Sequence, residues 1–218
     1  MSESTQQRGN RLVLLTIVGL PVTMFLTATW LWYYVANGHL DLVGALGTAN
    51  RGSLVQPPRQ IDDVILQGSA GPQRYADFPP KWTLAVVNAG ARCEATCEHT
   101  LYETRQIHKA LGKYFDRIDR LYLGDVAPAD ARLAVAELSD GTQLPESFAS
   151  YLEQQHRELV PLTLAPEDLA AVFPEWREDQ TTWYLLDPAG WVMMSYNSAI
   201  SYKDVIADLK FLLKNSSE

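Results

Sequence analysis

The sequence predicts an α/β domain with a mixed sheet, preceded by one N-terminal transmembrane helix. The stretch Leu12–Ala36 contains no charged residue, and beyond it strand-length apolar runs alternate with segments of helical periodicity. Hydrophobic residues make up 47% of the chain and charged residues 20%, as in globular proteins. The net charge of −8 argues against a nucleic acid as partner, because binding phosphates needs a basic surface.

The N-terminal apolar stretch has the length and the flanks of a membrane anchor. As a helix, Leu12–Ala36 would be about 37 Å long, enough to cross a hydrocarbon core of about 30 Å. It is longer than the apolar region of about 7–15 residues in a cleaved signal peptide. Arg8 and Arg11 precede it, and no Lys or Arg follows until Arg51. We therefore expect the N-terminus in the cytoplasm and the rest of the chain outside.

This pattern divides the chain into four segments. We expect a cytoplasmic tail at 1–11, a transmembrane helix at 12–36, a tether at 37–60 and a single domain at 61–218. Glycines and prolines interrupt the tether, which contains His39 and ends near Pro57-Pro58-Arg59, a candidate docking segment.

Within the domain, hydrophobic patterning predicts strands that alternate with helices. The most continuous apolar run, Trp82–Asn88, predicts a buried central strand. Further strands are expected at 63–66, 117–123, 133–138 and 159–164, and helices at 95–115, 145–157, 166–173 and 202–213. Asp187-Pro188-Ala189-Gly190 supplies turn residues between Trp183–Leu186 and Trp191–Tyr196, which predicts a hairpin.

The two cysteines, Cys93 and Cys97, lie between the central strand and the helix that follows it. At positions i and i+4 of a helix, side chains lie about 5–6 Å apart, close enough for a disulfide or for one metal ion bound by both sulfurs. A helix N-terminus favours a thiolate, so Cys93, which lies nearer to it, is expected to be the more reactive thiol. Glu94 and Glu98 oppose this activation through their negative charge.

Around and beyond the cysteines, the domain resembles the Sco/SenC family of thioredoxin-like, copper-binding proteins of cytochrome c oxidase assembly. The resemblance covers about 82–213 and rests on Cys93-Glu94-Ala95-Thr96-Cys97 with its helix, Pro145–Leu152, Leu162–Leu169 and Trp183–Gly190. It implies a thioredoxin-like fold, with Cys93 and Cys97 as catalytic cysteines and as Cu(I) ligands. It also implies a single-pass protein of the bacterial inner membrane with a periplasmic C-terminal domain, whose partner is a cytochrome c oxidase subunit or one of its assembly factors.

Three positions depart from the family pattern. Glu94 and Glu98 stand where the family has prolines after its cysteines. Asp179 stands about where the family has a histidine as the third copper ligand. We therefore expect Cu(I) on the two soft thiolates rather than a stable three-ligand Cu(II) site.

Other histidines and the large aromatic residues are expected to be structural. The histidines of the domain are His99, His108 and His156, the last of them expected on the solvated surface. The tryptophans expected in the core are Trp176, Trp183 and Trp191.

Two functional hypotheses remain at this level. The first is a membrane-anchored accessory factor in cytochrome c oxidase assembly, acting by thiol–disulfide exchange or Cu(I) handling through Cys93 and Cys97, and an assembly factor rather than a typical enzyme. The second is a degenerate thioredoxin-like interaction or structural subunit of a membrane complex, whose cysteines form a passive disulfide. The sequence carries no phosphate loop, serine triad or metal-hydrolase motif.

Overall fold

The computed structural model describes residues 3–36 and 50–216, in two compact units that divide the chain between Ala49 and Asn50. Helix α1 spans Glu3–Ala36, and its part Leu15–Tyr34 has the length and composition of a membrane anchor or a signal sequence. Threonines within it donate their hydroxyls to backbone carbonyls one turn back, as Thr27 Oγ1 does to Thr23 O at 2.9 Å. Residues 37–49, with His39 and much of the expected tether, lie outside the described residues.

The second unit is built on an eight-stranded mixed sheet. The strands in chain order are β1 (Ser53–Gln60), β2 (Leu66–Gly68), β3 (Gly71–Gln73), β4 (Trp82–Asn88), β5 (Arg92–Cys93), β6 (Ile118–Gly124), β7 (Arg132–Leu133), β8 (Leu159–Thr163), β9 (Trp183–Leu186) and β10 (Trp191–Tyr196). In space the large sheet runs β1-β10-β9-β4-β6-β8-β2-β3, with β4, β6 and β8 parallel to one another and the other pairs antiparallel. The short strands β5 and β7 pair separately in parallel.

Helices cover both faces of this sheet, so that it separates two apolar cores. The helices are α2 (Ala95–Ala110), α3 (Phe148–Gln155), α4 (Pro166–Val172), α5 (Glu175–Glu178) and α6 (Tyr202–Asn215), with 3-10 turns at Tyr75–Asp77 and Gly112–Arg117. Strand β4 supplies Leu84 and Val86 to the core under α2, α3 and α6, and Ala85 and Val87 to the core under α4. Because successive side chains of a strand point to opposite faces, this double burial explains the continuous apolar run. The predicted α/β class with a mixed sheet is confirmed.

The end of the expected tether is part of the sheet. Residues 53–60, assigned to the tether from sequence, form β1, which pairs antiparallel with β10 at the edge of the sheet. An edge strand tolerates Pro57 and Pro58 because its outer N–H groups need no partner strand. Arg59 is used internally: its Nε donates to Val172 O at 2.7 Å and its Nη2 to both carboxylate oxygens of Glu175 at 2.8 and 2.7 Å. Arg59 therefore connects β1 to the residues at the end of α4 and the start of α5.

Several element boundaries differ from the expected ones for local reasons. The helix expected at 145–157 begins only at Phe148, because Ser147 Oγ caps it by accepting from Ser150 N at 3.1 Å. Helix α2 ends at Ala110, before Gly112 takes up a φ of 60° and the chain continues as a 3-10 turn. The strand expected at 133–138 is reduced to the two residues of β7, the strand expected at 63–66 lies at 66–68, and α5 was not predicted.

The expectation that His156 is solvated is wrong. It follows the last residue of α3 and is only 1% exposed. Its Nδ1 lies 3.5 Å from Nη1 and Nη2 of Arg120, and its ring packs edge-on against Tyr151. Burial and the positive charge of Arg120 lower the pKa of His156 to about 2.

Candidate functional site

The two cysteines form a disulfide at the N-terminus of α2. After β4 the chain turns at Gly90, whose φ of 87° favours glycine, and enters the short strand β5, which ends at Cys93. Glu94 is the N-cap of α2, so Cys97 lies within the first turn of the helix. The Cα atoms of Cys93 and Cys97 are 5.2 Å apart, within the range that a disulfide requires. The arrangement of strand, turn, cysteine pair and helix predicted from the sequence is confirmed.

Hydrogen bonds fix the segment that leads to the disulfide. Arg132 N donates to Ala91 O at 2.9 Å, and Ala134 N donates to Cys93 O at 2.8 Å, across the β5–β7 pair. On the other side, Asn88 Nδ2 donates to Arg92 O at 3.2 Å. The backbone around Cys93 is therefore held between two parts of the fold, and the sulfur positions follow from this scaffold.

The two cysteines differ in their exposure to solvent. Cys93 is 0% exposed and Cys97 is 6% exposed. A pocket of about 280 Å³ opens beside Cys97. Its lining comprises the turn at 88–92 with Glu94, Thr96, Cys97, Trp176 and Gln180. Among the described residues, this is the pocket that adjoins the disulfide, and Cys93 does not line it.

The two glutamates next to the cysteines have separate local partners. Glu94 is exposed and forms an ion pair with Arg92 Nε at 3.1 Å. Glu98 is 3% exposed, and its carboxylate accepts from Ser139 N at 3.1 Å, from Ser139 Oγ at 2.5 Å and from Tyr151 Oη at 3.0 Å. These three donors offset the negative charge of Glu98, so the repulsion between this carboxylate and a neighbouring thiolate is weaker than the sequence alone indicates.

Burial and the charge of Glu98 together raise the pKa of Tyr151. This keeps the phenol protonated and able to donate to the carboxylate. Sequence analysis did not single out Ser139 or Tyr151, because both reach Glu98 only through tertiary packing.

Asp179, at the position expected for a third copper ligand, accepts hydrogen bonds from nearby residues with both carboxylate oxygens. Its Oδ1 accepts from Thr181 N at 2.9 Å and from Thr181 Oγ1 at 2.6 Å, and its Oδ2 accepts from Asn197 Nδ2 at 3.1 Å. The hydrogen bonds from Thr181 lower the pKa of Asp179. It is the next residue, Gln180, that lines the pocket beside Cys97.

The histidines of the domain add no ligand to the cysteine pair. His99 is exposed and its Nδ1 contacts Ser139 Oγ at 3.2 Å, while His108 stacks on Phe115 with ring centroids 4.0 Å apart. Within residues 3–36 and 50–216, no group of three His, Cys, Asp or Glu side chains is arranged to hold a metal ion.

Trp176 lines the pocket, and hydrogen bonds connect its helix, α5, to strands β9 and β1. Its backbone N–H donates to Tyr184 Oη at 2.9 Å, and this phenol donates to Glu175 Oε2 at 3.2 Å. Glu175 in turn receives the guanidinium of Arg59 from β1. Trp176 and Trp183 are buried as expected, whereas Trp191 is 38% exposed, so the expectation of a core position is wrong for it. Trp191 stands at the first position of β10, next to the turn.

Comparison with known proteins identifies the family and the fold. The family described as transmembrane-like, thioredoxin-like, C-terminal domain matches residues 82–216. No curated protein sequence matches the chain.

Among solved structures, the domain is similar to apo Sco1 from Thermus thermophilus, with 21% sequence identity, a TM-score of 0.52, and coverage of 76% of this chain and 99% of that chain. Yeast Sco1 with copper bound is 14% identical, with a TM-score of 0.51 and coverage of 78% and 97%. Arabidopsis thaliana ScoI with copper bound is 13% identical, with a TM-score of 0.50 and coverage of 76% and 99%.

At these identities the similarity establishes the fold, which is that of a Sco/SenC-like thioredoxin domain. The family match extends over more than half of the chain. The chain therefore belongs to the transmembrane-like, thioredoxin-like C-terminal domain family.

Proposed function

We propose that this chain is a membrane-anchored accessory factor in respiratory cytochrome c oxidase assembly that acts by thiol–disulfide exchange at Cys93–Cys97. The observation that carries the proposal is a disulfide that links the end of β5 to the first turn of α2, across a separation of four residues, beside a pocket. Such a short loop removes little entropy from the unfolded chain, so stabilising the fold does not account for the bond. The resemblance of the domain to Sco proteins supports oxidase assembly as the process.

When the partner is a dithiol, exchange at this site needs no further oxidant or reductant, because the two electrons that reduce the disulfide come from the partner. A partner thiolate attacks one sulfur of the disulfide and forms a mixed disulfide, while the other sulfur leaves as a thiolate and takes up a proton. The second thiol of the partner then attacks its own sulfur in the mixed disulfide and releases the remaining cysteine. The partner is oxidised by two electrons and the Cys93–Cys97 pair is reduced by two. The reverse sequence reduces a partner disulfide.

The N-terminus of α2 favours the thiolate that this reaction needs. The first turn of a helix presents backbone N–H groups without intrahelical acceptors, together with the positive end of the helix dipole. Glu94, the N-cap, makes no side-chain capping hydrogen bond that would occupy these groups. A thiolate in this turn is therefore stabilised relative to a thiol in solution.

Copper enters the proposal as cargo of the reduced pair. Two thiolates are the soft donors that Cu(I) prefers, and their spacing lets both bind one ion. The surrounding residues do not fit a three-ligand site, because Asp179 is engaged by Thr181 and Asn197 and the histidines lie in other contacts. Cu(I) transfer is accordingly limited to the state in which Cys93 and Cys97 are reduced.

The proposed location is the bacterial inner membrane, with the N-terminus in the cytoplasm and the domain in the periplasm. The apolar part of α1, preceded by Arg8 and Arg11, supports this orientation. In this arrangement 1–11 is the tail, 12–36 the anchor, the segment from 37 to β1 the tether, and the remainder the domain. A reporter that is active only after export should be active when fused after Glu218, and cytoplasmic activity of the fusion would contradict the orientation.

The decisive experiment is complementation of a strain that lacks the gene. The double variant Cys93→Ser, Cys97→Ser should melt cooperatively within a few degrees of the wild type and should fail to restore cytochrome c oxidase activity. Wild-type protein, expressed to the same level, is the control.

A second candidate is an interaction subunit with a passive disulfide. The observation that favours it is the low exposure of both cysteines, 0% for Cys93 and 6% for Cys97. Full restoration of oxidase activity by the double variant would exclude thiol chemistry and select this candidate.

A further inference from the structure

Cys93 and Cys97 differ in burial, and this difference bears on which of the two sulfurs a partner thiolate attacks first. Cys97 also belongs to the apolar core under α2 but is 6% exposed, whereas Cys93 is fully buried there with residues such as Leu101 and Phe148. Its backbone carbonyl accepts from Ala134 N, and β7 runs beside it as a parallel strand. Cys93 does not line the pocket beside the disulfide.

Cys97 lines the pocket beside the disulfide, together with Thr96, Trp176 and Gln180. At about 280 Å³ the pocket falls just below the range of about 300–1,000 Å³ for drug-sized ligands, which suits a single side chain of a partner protein. Disulfide exchange depends on which sulfur an incoming thiolate can reach, and it proceeds with the attacking sulfur in line with the bond that breaks. A thiolate that enters this pocket therefore meets Cys97, and the sulfur of Cys93 is then the leaving group.

We propose that Cys97 is the sulfur that forms the mixed disulfide with the partner and that Cys93 is the buried resolving thiol. This assignment rests on the proposed exchange function and reverses the order expected from position along the helix. A partner thiolate bonds to Cys97 Sγ, the Cys93–Cys97 bond breaks, and Cys93 leaves as a thiolate and takes up a proton. When the partner donates a disulfide instead, the Cys97 thiolate attacks it, and Cys93 then releases the reduced partner while the intramolecular disulfide re-forms.

Burial of the leaving thiolate is compatible with this order. Cys93 immediately precedes the N-cap of α2, so its sulfur is released next to the uncapped first turn of that helix. The helix N-terminus stabilises the negative charge in place of water. The flanking carboxylate of Glu94 is drawn to Arg92, which reduces the repulsion between this carboxylate and the new thiolate.

The test compares the two single variants as full-length reduced proteins in detergent. With oxidised glutathione as the probe, Cys93→Ser, which retains Cys97, should form the mixed disulfide at least about tenfold faster than Cys97→Ser, which retains Cys93. In denaturant the two variants should react at similar rates, which controls for intrinsic thiol reactivity. Equal rates in the folded proteins, or faster reaction of Cys97→Ser, would overturn the assignment.

A second measurement on wild-type protein guards against misfolding of either variant. The oxidised protein is treated briefly with reduced glutathione, quenched with N-ethylmaleimide and mapped by mass spectrometry. Glutathione on Cys97 with maleimide on Cys93 is the expected pattern, and glutathione mainly on Cys93 would overturn the proposal. This readout is independent of oxidase maturation, so it separates a wrong order of attack from a wrong function.

Discussion

The disulfide segment and the polar interior beneath β6 both bury reactive or charged side chains, but the first is centred on a covalent bond between near neighbours in the sequence and the second on hydrogen bonds between distant residues. At the disulfide, the central bond joins Cys93 to Cys97 only four residues away, while distant residues such as Ala134 and Ser139 hold the backbone and Glu98 beside it. The polar interior, formed by Thr104, Arg105, Arg120, Asp140 and His156, is assembled from distant segments. Arg120 Nη2 donates to Leu101 O at 2.8 Å and to Thr104 Oγ1 at 2.9 Å, across 19 and 16 residues.

This difference separates a site that can change its covalent state from a region that supports the fold. Buried hydrogen bonds hold the charges of the polar interior: Arg105 donates to Asp140 Oδ2 at 2.9 Å and to Gln155 O at 2.7 Å. Burial, with the nearby charge of Arg105, lowers the pKa of Arg120 to about 9. Substitutions there should reduce stability, whereas breaking the disulfide should alter chemistry and leave the fold largely intact.

The largest effect is expected from Arg120→Ala. Its side chain is 1% exposed, so truncation leaves a cavity and removes the donors to Leu101 O and Thr104, which should lower the free energy of unfolding by about 3 kcal/mol. Arg120→Met, which refills most of the volume, should recover at least half of the loss. Urea denaturation measures both, with Arg92→Ala as an exposed control expected to change stability by less than about 0.5 kcal/mol. A loss in Arg92→Ala as large as in Arg120→Ala would remove the contrast between the regions.

A smaller effect is expected from acid. His156 has a pKa of about 2 in the folded protein and about 6.5 in the unfolded chain, so below pH 6.5 the unfolded chain binds the proton first. Stability is therefore fully present above pH 6.5 and falls as the pH drops, by about 2 kcal/mol at pH 5. Urea midpoints measured between pH 7.5 and 5 should show this slope, and His156→Gln should flatten it. His99→Gln, which removes an exposed imidazole, is the matched control, and an unchanged slope in His156→Gln would contradict the assignment.

The contact between the two regions gives a third prediction. Tyr151 packs against His156 in the polar interior and donates to Glu98 beside the disulfide. Tyr151→Phe removes this donor and should lower the free energy of unfolding by about 1–2 kcal/mol, because among the described residues the buried carboxylate then keeps only Ser139 as a hydrogen-bond donor. Urea denaturation tests it against Tyr202→Phe, an exposed control. A neutral Tyr151→Phe would mean that Ser139 alone satisfies Glu98.

The smallest signal is expected from Cu(II). Reduced protein should bind one Cu(I) through Cys93 and Cys97 and hold Cu(II) weakly, as measured by competition with a chelator and by EPR. Because Gln180 lines the pocket and Asp179 braces its loop, Gln180→His should strengthen Cu(II) binding more than Asp179→His does. A stable Cu(II) complex with nitrogen ligation in the unaltered protein would show that a histidine reaches the site.

Local signals account for what could be predicted from the sequence. The i, i+4 cysteine pair, the uncharged N-terminal helix and the turn between β9 and β10 depend on neighbours in the chain. The departures involve distant contacts: Arg59 binds Glu175 across 116 residues, and His156 is buried by an arginine 36 residues away. No periodicity indicates such a contact. The position of Gln180 beside Cys97 likewise depends on α5, a helix of four residues that is too short to show a pattern.

The position of β1 decides where a soluble fragment of this protein can begin. A fragment that starts at residue 61, the expected domain boundary, would lose the whole strand and leave β10 as a bare sheet edge. Unpaired edges recruit other chains, so such a fragment should aggregate. It would also leave Glu175 without the guanidinium of Arg59 next to the pocket wall at Trp176. A fragment that starts at Asn50 keeps both, and includes Arg51 and Gly52, whose backbone N–H groups donate to Asp208 of α6.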